Sequence, residues 1–137
     1  MNDDAQLISL QKLYTQKDFS AIVEYAEKNK DNINKNWVTF TLIGMAYFYK
    51  NQYAQSIIYQ NKSIEIQANS LNTHNLGLIL GATGKKQKAI KAFNECIKLG
   101  INDPTLFANI IDFCRKSNFT DDALKVANLM VNKFPNN

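Results

Sequence analysis

The chain has 137 residues, 45% of them hydrophobic, which suits one domain with a continuous core. No run of about 18 apolar residues occurs, so no membrane-spanning helix is indicated. The acidic start Met1-Asn2-Asp3-Asp4 lacks the basic-then-apolar plan of a secretory signal, and a cytoplasmic location is expected. The net charge of +4 matches a local excess of Lys85, Lys86, Lys88, Lys91 and Lys98 over Glu95. These lysines read as a solvated helix face. With fifteen lysines to one arginine, the chain lacks the bidentate forks on which nucleic-acid readers lean.

In chain order, Leu7, Leu10, Leu13 and Tyr14 form one apolar stripe, and Phe19, Ile22, Val23 and Ala26 a second. An asparagine-rich connector from Lys30 to Asn36 follows, and this first unit is the least regular. Trp37 to Lys50 is proline-free, carries Phe40, Ile43, Met45, Tyr47 and Phe48, and is too long for a strand. Asn51-Gln52 interrupts it, and Tyr53 to Ile66 makes the next helix. Ser70 to Ala82 and Gln87 to Leu99 repeat the arrangement around a turn at Thr83-Gly84-Lys85, with Gly84 as a left-handed helix stop. Asp103 as N-cap and Pro104 at the first position start a helix to about Lys116. Asp121 to Lys133 forms the last.

The segments recur at a fixed interval. Gly44 and Gly77 lie 33 residues apart, and Ala89 and Ala123 lie 34 apart. Phe40-x-x-Ile43-Gly44-x-x-Tyr47 returns as Thr73-x-x-Leu76-Gly77-x-x-Leu80 and as Phe107-x-x-Ile110-Ile111-x-x-Cys114. Ser56-x-x-x-Gln60, Ala89-x-x-x-Phe93 and Ala123-x-x-x-Ala127 follow in step, with Pro135 behind the last. Such a period signals stacked helix pairs. It divides the chain into units of approximately 4–36, 37–69, 70–103 and 104–137. Glycine within a helix costs about 1 kcal/mol relative to alanine. Gly44 and Gly77 therefore call for a closely approaching partner helix, with Ser56, Ala89 and Ala123 as the matching small residues.

These motifs resemble the tetratricopeptide repeat, which pairs an aromatic, Leu-Gly and Tyr on one helix with Ala, an aromatic and Pro on the next. The likeness covers residues 37–137 as three units and residues 4–36 as a degenerate fourth. It departs from the pattern at Ser56 and Gln60, and only the last unit keeps the proline. The resemblance implies an all-α fold: a right-handed superhelical solenoid of about eight helices in antiparallel pairs, whose first helices line a concave groove. The groove columns it implies are Val38, Leu71, Thr105; Thr41, His74, Ala108; Leu42, Asn75, Asn109; Met45, Leu78, Asp112; and Phe48, Gly81, Arg115. Tyr49, Ala82 and Lys116 flank them. The peptide-binding site it implies comprises Val38, Thr41, Leu42, Met45, Phe48, Tyr49, Leu71, His74, Asn75, Leu78, Asn109 and Asp112. Asn75 and Asn109 are candidates to bond a peptide backbone, since an amide both donates and accepts. The first four columns hold no Lys or Arg, so the lysine-and-arginine clamp of relatives that bind chaperone tails is not supported.

Nothing in the residues argues for catalysis, a metal or a cofactor. His74 is the single histidine, and a metal site needs three or four ligands. Cys96 and Cys114 fall in packing columns and are expected as buried free thiols. No Walker loop, G-x-S-x-G elbow or H-E-x-x-H is present. The expected function is a non-enzymatic scaffold holding a peptide or extended partner segment. The alternatives are a regulatory or substrate-presenting domain of a larger bacterial enzyme such as a glycosyltransferase and, more weakly supported, a nucleic-acid adaptor. High Asn, Ile and Lys usage hints at a bacterial source. Apolar residues Ala123, Leu124, Val126, Ala127, Leu129, Met130, Val131 and Phe134 on the last helix suggest a face for a second copy or a further domain.

Overall fold

A computed structural model describes residues 2–136. Among the described residues there are eight α-helices and no strand: α1 (Asp3–Thr15), α2 (Phe19–Lys28), α3 (Trp37–Tyr49), α4 (Tyr53–Ile66), α5 (Ser70–Ala82), α6 (Lys86–Leu99), α7 (Pro104–Lys116) and α8 (Thr120–Lys133). The boundaries expected from Trp37 onward hold to within one residue. The architecture is the all-α, paired-helix type of tetratricopeptide-like solenoids.

Local chemistry sets each pair in the same way. Asn2, Asn36, Asn69 and Asp103 precede α1, α3, α5 and α7. Each side chain accepts a backbone N–H of the first turn, from Ala5, Val38, Asn72 and Thr105 at 2.7, 2.8, 2.9 and 2.9 Å. Such caps contribute about 1 kcal/mol each. Their spacings of 34, 33 and 34 follow the period, and only Asp103 was conspicuous, because of the proline behind it.

Within each pair the turn repeats too. Lys17, Asn51, Gly84 and Asn118 all take left-handed backbone conformations, with φ of 59°, 61°, 78° and 62°. The next residue donates its N–H to a carbonyl five positions back: Asp18 to Leu13, Gln52 to Tyr47, Lys85 to Leu80 and Phe119 to Cys114, at 2.8–3.0 Å. The carbonyls left over at a helix end are satisfied in this way. Lys17 holds the conformation that glycine adopts freely, at a cost of roughly 1–2 kcal/mol. It lies 34 residues before Asn51, so the irregular first pair is in register with the others.

The helices gather into two compact units, one ending at Ala68 and one beginning at Asn69. In the first, α1 and α2 pack on each other and on α3, and α3 packs on α4. Leu10, Ile22, Ala26, Ile43 and Tyr47 form its core, with Tyr47 stacked on Tyr59 at 5.5 Å. The α3–α4 contact is polar and buried. Ser56 donates to the Gly44 carbonyl at 2.7 Å, and Thr41 meets both Gln60 (3.3 Å) and Ser63 (2.7 Å). Gln60 also donates to the Thr41 carbonyl, and Ser63 to that of Trp37. A fully buried glutamine is tolerated because its amide is bonded at both ends.

In the second unit α5 packs on α6 and α7, and α7 packs on α8. At Gly77 the partner helix brings up a large ring: a Cβ there would lie 2.6 Å from Cδ1 of the fully buried Phe93. Phe93 packs onward against Phe113, ring centres 5.1 Å apart. Gly81 leaves room for Phe113 in turn, since a Cβ at Gly81 would stand 2.8 Å from its Cε2.

Candidate functional site

In the second unit the C-terminal halves of α5 and α7 leave a cleft of about 390 Å³. Leu78, Gly81, Ala82 and Phe113 supply apolar walls, and Asn109, Asp112, Lys86, Lys116 and Ser117 supply polar groups. Phe113 is placed there because Gly81, one helix away, has no side chain to displace it. Asp112 and Lys116, one turn apart on α7, form an ion pair of 2.9 Å with both side chains more than half exposed. At that exposure the pair contributes little to stability.

One wall is held by a buried relay. The Asn109 side-chain amide lies 3.2 Å from Nε2 of His74, and His74 Nδ1 lies 3.1 Å from Oδ1 of Asn75. The amide oxygen of Asn75 only accepts, so Nδ1 carries the proton and Nε2 accepts from Asn109 Nδ2. His74 is therefore neutral. Burial pushes its pKa below the usual 6.5, against the opposing pull of the Asn75 hydrogen bond and the Asp103 charge. Asn109 is fixed by its nitrogen, and its carbonyl oxygen is the atom left to accept.

Of the residues implied as a site, Leu78, Asn109 and Asp112 meet in this cleft. His74 and Asn75 stand behind it, both buried. Leu71, at the start of α5, is exposed. In the first unit Thr41 is buried in the α3–α4 polar seam, Met45 is buried, and half-buried Leu42 packs on the core. Val38 is half-buried in the first turn of α3, its N–H bonded to Asn36. Phe48 and Tyr49 join an aromatic row instead: Tyr14, Phe19, Tyr49, Phe48 and Tyr53, with Phe19 stacked on Tyr49 at 4.6 Å. Tyr49 is half exposed and lines a second cleft, of about 560 Å³, with Tyr14, Thr15, Lys17 and Phe19. Burial and the neighbouring Tyr49 push the Tyr14 hydroxyl up to about 12, so it stays protonated.

Lys86, Phe113 and Ser117 line the α5–α7 cleft without having been singled out as site residues. The size complementarity of Gly81 and Phe113 was the available signal for one of them. Burial raises the pKa of both thiols, Cys96 to about 11, which makes them packing groups. Among the described residues no three His, Cys, Asp or Glu side chains gather as a metal site, and no helix is long and apolar enough to cross a membrane. On α8, Leu124 and Val131 are the most exposed of the apolar residues, at 64% and 57%.

Capped helix pairs with one repeated turn, and a side-chain-lined cleft on the first helices of two of them, define a helical-hairpin repeat protein. The tetratricopeptide repeat family model matches residues 39–70 and 74–99, covering most of α3 with α4 and most of α5 with α6. Those two stretches are tetratricopeptide repeats, and such repeats generally serve as protein-interaction scaffolds. No curated protein matches the chain.

Proposed function

We propose that this protein is a non-enzymatic interaction module whose α5–α7 cleft holds an extended segment of a partner protein. The observation that carries the reading is the fixed amide of Asn109 beside the apolar walls of Leu78, Gly81 and Phe113. An extended peptide offers unpaired backbone N–H groups, and the Asn109 carbonyl is an acceptor for one of them. Side chains of the segment bury apolar surface on the walls, at about 25 cal/mol per Å² before the costs of association. Because the buried His74 already orders Asn109, little further side-chain entropy is lost on binding.

The test is selection of short random peptides on the whole protein, followed by amide chemical-shift mapping. Bound peptides are expected to move Leu78, Ala82, Asn109 and Ser117, and Asn109→Ala is expected to weaken them about fivefold or more. Peptides that bind while leaving those amides in place would remove the cleft from consideration.

A further inference from the structure

We infer that the segment held by the α5–α7 cleft is acidic. This rests on the reading of the cleft as a peptide site and goes beyond it by specifying the partner's chemistry.

Charge is divided unevenly along the chain. Up to Ala68 there are seven lysines and seven acidic residues, whereas from Asn69 nine basic residues face five acidic ones. The whole formal excess of +4 thus belongs to the unit that contains the cleft. Within the lining the balance is two lysines to one aspartate, and Lys85 and Arg115 adjoin it in sequence.

The two lining lysines differ in their partners. Lys116 already gives one hydrogen bond's worth of contact to Asp112, yet an ammonium has three donors, and its side chain is 77% exposed. Lys86 opens α6, whose first turn holds no acidic residue, and it has no ion-pair partner among the described residues. Lysine at that end of a helix opposes the helix dipole, and no acidic residue in the first turn offsets it. A carboxylate entering the cleft meets Lys86 unopposed and joins Lys116 from the side that Asp112 leaves open. The same lining holds the apolar Leu78, Gly81, Ala82 and Phe113. The complementary ligand is an extended segment that alternates acidic side chains with small or apolar ones.

The same lysines would attract a phosphate backbone, but base recognition needs exposed aromatic faces or arginine planes. Among the cleft residues the only aromatic ring is Phe113, half-buried and packed at a tilt against Phe93 and Phe119. The chemistry favours a protein segment.

Peptides selected from the random library are expected to be enriched in Asp and Glu. For the tightest of them, the paired change Lys86→Gln and Lys116→Gln is expected to weaken binding about tenfold or more, while Lys125→Gln on α8 leaves it unchanged. All three lysines are exposed, and circular dichroism of the variants confirms an unchanged fold. Cleft-binding peptides of neutral or basic composition would overturn the acidic assignment and leave the cleft reading standing. If no selected peptide maps to the cleft, both fall. An oligouridylate that binds the protein more tightly than the selected peptides, with a steep loss in salt, would overturn the assignment in favour of nucleic acid.

Discussion

Asn109 on α7 reaches His74 on α5 across 3.2 Å, and this bond joins the first helices of two successive pairs through a neutral imidazole. The contact works only while Nε2 has a lone pair. Protonation would set an N–H donor against the Asn109 amide nitrogen, at a ring that is buried from solvent.

Stability therefore depends on pH in a defined direction. The pKa of His74 is lowered in the folded state, so the unfolded chain takes up the proton first as pH falls. The contribution of this group is fully present above the unfolded value of 6.5 and is lost as pH drops from there towards the folded value. His74→Gln keeps a neutral donor and acceptor and is expected to remove that part of the decline. Urea midpoints across this pH range compare the two proteins, and identical profiles would refute the assignment.

Gly77 and Gly44 occupy the same column but face different neighbours. Alanine at Gly77 would press on the Phe93 ring, which is buried and has nowhere to go. The expected net cost of Gly77→Ala is about 1–3 kcal/mol, despite a gain in helix propensity of about 1 kcal/mol. At Gly44 the nearest atom is Nε2 of Gln60 at 3.0 Å, a milder overlap than with the Phe93 ring, and Gly44→Ala should cost less. Thermal unfolding of the two variants ranks them, and the reverse order would contradict the packing.

Cys96 and Ser63 are related by the repeat and perform one task. The Cys96 thiol donates to the Ser70 carbonyl at 3.2 Å, and the Ser63 hydroxyl to the Trp37 carbonyl at 2.8 Å, donors and acceptors each 33 residues apart. Cys96→Ser is therefore expected to change stability by no more than about 1 kcal/mol. With its pKa pushed to about 11, the native thiol should also react with a disulfide reagent at pH 8 far more slowly than the unfolded one. Rapid native labelling at Cys96 would contradict its burial.

Thr41 tests the polar seam. Its hydroxyl meets both Gln60 and Ser63, and Thr41→Val withdraws it while keeping the shape. A cost of about 1–3 kcal/mol is expected, because the buried Gln60 oxygen loses that donor. Denaturant unfolding measures it, and a neutral result would mean that the seam does not stabilise the α3–α4 pair.

Much of this was legible in the residues because it is local. Asp103-Pro104 marks a helix start and Gly84 a stop by their own backbone preferences, and apolar spacing marks each helix between. Less visible were Lys17 as a turn residue and the asparagine caps. Asparagine serves caps, turns and surfaces alike, and lysine has no preference for left-handed backbone. The ring of Phe93 against Gly77 was also not visible, since a small residue implies a close neighbour without naming it.

The sequence by itself determined the period, the helix boundaries from Trp37 onward, the paired-helix class and the placement of the charge excess in residues 85–98. These follow from short-range sterics, capping and counting. Only the tertiary structure decided which members of the implied site reach a surface. Leu78, Asn109 and Asp112 line a cleft, whereas Thr41, Met45, His74 and Asn75 are buried, although all seven stand in the same three columns. Exposure is set by what each side chain meets across the packing interface: Gln60 and Ser63 for Thr41, Asn109 for His74. Periodicity fixes the direction in which a side chain leaves its helix, and the opposing residue fixes whether solvent remains there.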